Sequence, residues 1–100
     1  LDSLLPRKYR ALASEKRATI SGDLHVMGMR AGEALEEVDK YLDDATLSGL
    51  ENVAIVHGKG TGALRRAIHD HFRAHPQVGA YRLGELDEGG AGVTMVTLRD

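Results

Sequence analysis

Residues 54–68, AIVHGKGTGALRRAI, pass from an apolar, β-branched run through three glycines into a pattern of helical period. The run NVAIVHG, residues 52–58, is short and apolar, which suits a strand covered on both faces. Beyond the glycines, Ala63, Leu64, Ala67, Ile68, His71 and Phe72 recur at three- and four-residue steps. Arg65, Arg66, His69, Asp70 and Arg73 fall on the other faces, and Pro76 prevents continuation. A strand, a tight glycine bend and an amphipathic helix in succession point to an α/β fold.

The same reading extends in both directions. Upstream, GDLHVMGM (residues 22–29) alternates briefly and predicts a short strand carrying Leu24 and Val26 on one face. Ala34, Leu35, Val38, Tyr41, Leu42 and Ala45 then describe a second amphipathic helix, stopped near Gly49. Downstream, GAYRLG and GVTMVTLR read as strands joined by the turn-forming ELDEGGA. The order is βαβαββ. Two strand-helix-strand crossovers predict neighbouring parallel strands, and the short final connection predicts an antiparallel pair. The expected architecture is a two-layer sandwich with a mixed four-stranded sheet and two helices. Residues 1–20 read as a linker or N-terminal arm in which Pro6 opens a short helix, and residues 21–100 as the folded domain.

One hundred residues, 42% of them hydrophobic, suffice for one core. The chain has no cysteine, which excludes disulfides and thiolate metal sites. No apolar run approaches the length that spans a bilayer, so a cytoplasmic protein with no membrane partner is expected. The start LDSLLPRKYR has neither an initiating Met nor the apolar centre of a signal peptide, as expected of a piece of a longer protein. The net charge of −2 hides segregation: residues 31–52 hold seven acidic groups and one basic, whereas residues 53–82 hold five basic and one acidic. A local basic face, not the whole-chain sum, decides whether nucleic acid binds.

A glycine loop at a helix start turns amides without intrahelical partners, and the positive end of the helix dipole, toward one point. Lys59 adds a full charge and His57 a group that exchanges protons near neutrality. Thr61 serves either as the helix N-cap or as a ligand to an anion. Arg65, Arg66 and Arg73 either track a phosphate backbone or form a solvated helix face. On these grounds alone the loop is equally a tight connection or an anion site. It is neither a Walker A motif nor a dinucleotide fingerprint, because both spacings are absent. His71 and His75 have the i, i+4 spacing of metal ligands, but the sequence pairs no carboxylate with them, and no metal site is expected there.

These segments together resemble the small-MutS-related (Smr) domain, especially the copy at the C-terminus of bacterial MutS-like proteins that suppress recombination. The carriers are GMRAGEALEEVDKYLDDATLSGL, IVHGKGTGALRRAI, HPQVGAYRLGE and EGGAGVTMVTL, within about residues 23–99. The resemblance implies a βαβαββ fold similar to the C-terminal domain of a bacterial translation initiation factor. It also implies an endonuclease that nicks nucleic acid. Branched DNA is the implied substrate for this subgroup, RNA or ribosome-associated action is the alternative, and MutS-like ATPase domains of a parent chain are the implied partners. No cofactor is required by the pattern, which leaves room for a divalent metal.

The family's H-G-x-G-x-G motif falls on His57, Gly58, Lys59, Gly60, Thr61 and Gly62. Its L-D-x-[HR]-G motif aligns with Leu24, His25, Val26, Met27 and Gly28, so His25 replaces the expected Asp and Met27 the expected basic residue. A non-catalytic DNA-binding module is therefore the second expectation. The expected site comprises His57, Lys59 and His25 for catalysis. Gly58, Lys59, Gly60, Thr61, Gly62, Arg30, Arg65, Arg66 and Arg73 would contact nucleic acid.

Overall fold

A computed structural model describes residues 20–99. The expected N-terminal arm and its short helix lie outside these residues. The elements are β1 (Asp23–His25), α1 (Ala31–Leu47), β2 (Asn52–Val56), α2 (Ala63–Phe72), β3 (Val78–Leu83) and β4 (Val93–Leu98). Two 3-10 turns, Leu86–Glu88 and Gly90–Gly92, connect β3 to β4.

The sheet order is β1-β2-β4-β3. The parallel β1–β2 pair and the antiparallel β3–β4 pair follow the sequence expectation. The second crossover does not: β2 and β3 are not neighbours, because β4 inserts between them, antiparallel to both. Burial explains the order. β4 carries Val93, Thr94, Val96 and Leu98 out of water and belongs in the centre, whereas β3, with Gly79, Ala80 and Arg82 exposed, tolerates an edge. A register shift between Val78 and Ala80 leaves Gly79 as a bulge, where an added Cβ would stand 3.3 Å from the Thr97 carbonyl.

One face of the sheet holds the core. Val53, Ile55, Val96 and Leu98 point to the side where α1 contributes Ala34, Val38, Leu42 and Ala45 and α2 contributes Ile68 and Phe72. The alternate residues Asn52, Ala54, Met95 and Thr97 lie on the opposite face, partly or fully exposed. Helix α1 ends because Gly49 adopts φ 80°, so that the Gly49 amide reaches the Thr46 carbonyl (3.1 Å) and the Leu50 amide the Ala45 carbonyl (3.0 Å). Among the described residues no helix is long and apolar enough to cross a membrane.

Candidate nucleic-acid interface

Because β1 and β2 are parallel and each leads into a helix, the N-termini of α1 and α2 open at the same end of the sheet. Between them lies an open cavity of about 320 Å³, lined by Gly28, Met29 and Ala31 from one helix entry and residues 57–64 from the other. Two positive dipole ends therefore face one space.

The glycine loop is held from behind. The Gly92 carbonyl accepts the amides of His57 (3.1 Å) and Gly58 (2.9 Å), tying the loop to the start of β4. Gly58, Gly60 and Gly62 have φ of 78°, 42° and 85°, the left-handed region that side chains rarely adopt. Gly62, not Thr61, is the N-cap of α2: its carbonyl accepts the Arg66 amide at 2.9 Å. The Thr61 hydroxyl instead accepts the Ala63 amide at 3.3 Å. Among the described residues, the amides of Lys59, Gly60, Thr61 and Leu64 donate to no group of the chain, and all four residues line the cavity.

His57 is only 4% exposed. Its Nδ1 lies 2.8 Å from the Gly58 carbonyl and its Nε2 2.7 Å from the Thr94 hydroxyl, so both ring nitrogens are engaged inside the protein. Thr94 is also 2.7 Å from His69 Nε2. Burial, followed by the neighbouring His57 and Arg65, lowers the His69 pKa and favours a neutral ring.

The remaining expected residues divide into near and far. Arg65 and Arg66 fold back over the loop, since a Cβ built on Gly62 would stand 2.9 Å from Arg65 Nη2 and 3.6 Å from Arg66 Nη1. Arg30 is the exposed N-cap of α1, adjacent in sequence to the cavity-lining Met29 and Ala31. Arg73 caps the other end of α2, about 15 Å along the helix, and pairs with Asp70 at 3.5 Å. His25 is exposed on β1 and bonds Asp23 at 2.8 Å. The Asp23 carboxyl also accepts the Ser21 hydroxyl; these two contacts, Ser21 first, hold its pKa below the ordinary value. Ser21 bonds the carboxylate rather than the imidazole, so the trio lacks the order of a nucleophile and its base.

A carboxylate absent from the sequence reading of His71 and His75 is Asp39 of α1. Both histidines direct Nε2 at Asp39 Oδ1, at 2.7 and 2.9 Å. The three groups are close enough to hold a cation. However, the Gln77 amide donates to His75 Nδ1 at 3.1 Å, which places the proton of a neutral His75 on Nε2. As arranged, His75 gives Asp39 a hydrogen bond rather than offering a metal its lone pair. The trio clamps α1 to the end of α2 remote from the cavity. Local patterns carried no sign of Asp39, Thr94 or His69, because each acquires its partner across the fold.

The Smr domain profile matches residues 23–99. The chain belongs to the Smr family. It is 48% identical over 87 residues to the endonuclease MutS2 of Clostridium tetani and 55% identical over 83 residues to that of Pelotomaculum thermopropionicum. The alignments cover 87% and 83% of this chain but 11% of each of those proteins, so this Smr domain spans about a tenth of such relatives. The crystal structure of the Smr domain of Thermus thermophilus MutS2 superposes with a TM-score of 0.76 at 42% identity, covering 78% of this chain and 98% of that one. YdaL, a stand-alone small MutS-related protein from Escherichia coli, gives 0.74 at 27% identity, with 79% and 65% covered. The domain is thus of a nuclease family.

Proposed function

We propose that this Smr domain grips a nucleic-acid backbone phosphate in the cavity between its two helix N-termini and nicks DNA there, with branched DNA as the substrate. The observation that carries the reading is the set of amides without intramolecular partners at Lys59, Gly60, Thr61 and Leu64, gathered beside the Lys59 side chain. Such donors stabilise a phosphate oxygen, and more strongly the added charge that develops as the phosphodiester is attacked.

In this reading Lys59 and Arg30 supply charge at the cavity, Arg65 and Arg66 meet the flanking phosphate, and Arg73 extends the track along α2. His25, exposed and oriented by Asp23, handles protons, while His57 holds the loop from behind. Arrival of the domain at its substrate falls to the MutS-like ATPase portion of a longer parent chain, in the cytoplasm. A divalent metal remains an optional contributor to the attack.

The substitution of the first family motif favours one second reading, a module that binds branched DNA without cutting it. Nicking of supercoiled plasmid and of branched DNA, with and without divalent metal, separates the two. Product that disappears with Lys59→Ala supports the nuclease. Binding without product supports the module, and cleavage of matched RNA in preference to DNA points to the ribosome-associated alternative.

A further inference from the structure

Thr94 sits at 0% exposure on the inward face of β4, where its companions are Val96 and Leu98. A hydroxyl in that position needs partners, and it has two: the Nε2 atoms of His57 and His69, each at 2.7 Å. The direction of these bonds follows from chemistry. The Gly58 carbonyl only accepts, so His57 carries a proton on Nδ1. Neutral His57 then presents a bare Nε2, which takes the single hydrogen of Thr94. The Thr94 oxygen is left as an acceptor, and His69 must bring its proton on Nε2. The chain runs His69 Nε2–H to Thr94 Oγ1–H to His57 Nε2, and ends with His57 Nδ1–H on the Gly58 carbonyl.

We propose that Thr94 and His69 are positioning residues of the glycine-loop site, holding His57 in its Nδ1–H form so that the Gly58 carbonyl stays bound behind the loop and its free amides face the cavity. The proposal rests on the phosphate-site reading for its functional consequence, but not for the hydrogen-bond chain itself. Two further contacts and the burial of His69 support it. His69 packs edge-on to Tyr81 with centroids 5.0 Å apart, which restricts its ring. Burial favours its neutral form, which carries one ring proton, and the Thr94 bond selects the tautomer that has it on Nε2. The Gly92 carbonyl, one residue before β4, anchors the same loop, so Thr94 and the loop share one support. A charged His57 would reverse the Thr94 bond, turn the hydroxyl hydrogen toward His69 Nε2 and move the His69 proton to Nδ1, so the two histidine tautomers report the direction of the chain.

The test is nitrogen-15 NMR of the histidine rings at neutral pH, with inorganic phosphate titrated into the same samples. The expected result is opposite tautomers, Nδ1–H for His57 and Nε2–H for His69. Thr94→Val should mix them and weaken phosphate binding about tenfold, the scale of one hydrogen bond, while Thr94→Ser restores both. His57 found protonated on Nε2 in the unaltered domain would overturn the proposal. So would unchanged tautomers and affinity in Thr94→Val. Where Thr94→Val fails to fold, the unaltered domain and Thr94→Ser still decide between the two tautomers. Opposite tautomers in a domain that binds no phosphate would uphold the hydrogen-bond chain and refute the phosphate site.

Discussion

Met27 lies against Gly58, so closely that a β-carbon added to the glycine would stand 3.2 Å from Met27 Cγ. The family places a basic residue or imidazole at this position. Met27 is 55% exposed, which leaves room for a longer polar side chain at the rim of the cavity. Met27→Arg is expected to tighten binding of a short DNA duplex about three- to tenfold and steepen its salt dependence by about one phosphate contact. Adding His25→Ala, which removes the group assigned to proton transfer, is expected to abolish nicking while the gain in binding remains. Fluorescence anisotropy over a salt series and a plasmid-nicking assay measure the two effects.

Lys59 is the one full positive charge among the cavity-lining side chains of the described residues. Lys59→Gln should weaken DNA binding uniformly across sequences and lower the salt slope by about one. Arg73→Gln, at the far end of α2 and paired with Asp70, should cost less than Lys59→Gln. Equal losses from the two would place the binding surface along the helix rather than at the loop.

The Asp39 clamp bears on stability rather than on binding. Burial acts to raise the Asp39 pKa, but the hydrogen bonds of His71 and then His75 outweigh it, and the net shift is downward. A lowered folded-state pKa contributes stability that is present above the ordinary value of 3.8 and is lost as pH falls through the folded pKa. The Asp39 side chain is 49% exposed and screened by water, so Asp39→Ala should cost no more than about 0.5 kcal/mol at neutral pH, and less once Asp39 is protonated. Thermal melts along a pH series falling from 7 to well below 3.8 check this, with DNA binding at neutral pH expected to remain.

His69 acts at a higher pH with the same sign. Its folded pKa lies below the ordinary 6.5, so the unfolded chain takes up this proton first as pH falls. Stability should decline as pH drops below about 6.5, and His69→Gln should flatten that part of the profile. Chemical denaturation from pH 7.5 to 5 gives the comparison.

Much of this architecture is legible along the chain because helical and strand periods are local. The apolar positions of α1 and α2, the stop at Gly49 and the loop of residues 57–62 all follow from neighbours in sequence. The place of β4 does not, since period reveals that Val93–Leu98 is a strand but not which strands flank it. The same distinction applies to the site. Glycines and Lys59 advertise an anion loop, whereas Thr94 meets His57 from 37 residues away and Asp39 meets His71 from 32. A lone Thr in an apolar strand and one Asp on an acidic helix look like ordinary residues until the sheet and the helix pair bring their partners to them.

The central claim is that the loop amides and Lys59, between two helix N-termini, form the seat of a backbone phosphate. Proton–nitrogen correlation spectra recorded while a short DNA duplex is titrated into the domain test it directly. The largest shifts are expected at the amides of Lys59, Gly60, Thr61, Leu64 and Ala31, suppressed in Lys59→Ala. Shifts confined to the open sheet face around Asn52, Met95 and Thr97, with the loop amides unmoved, would contradict it.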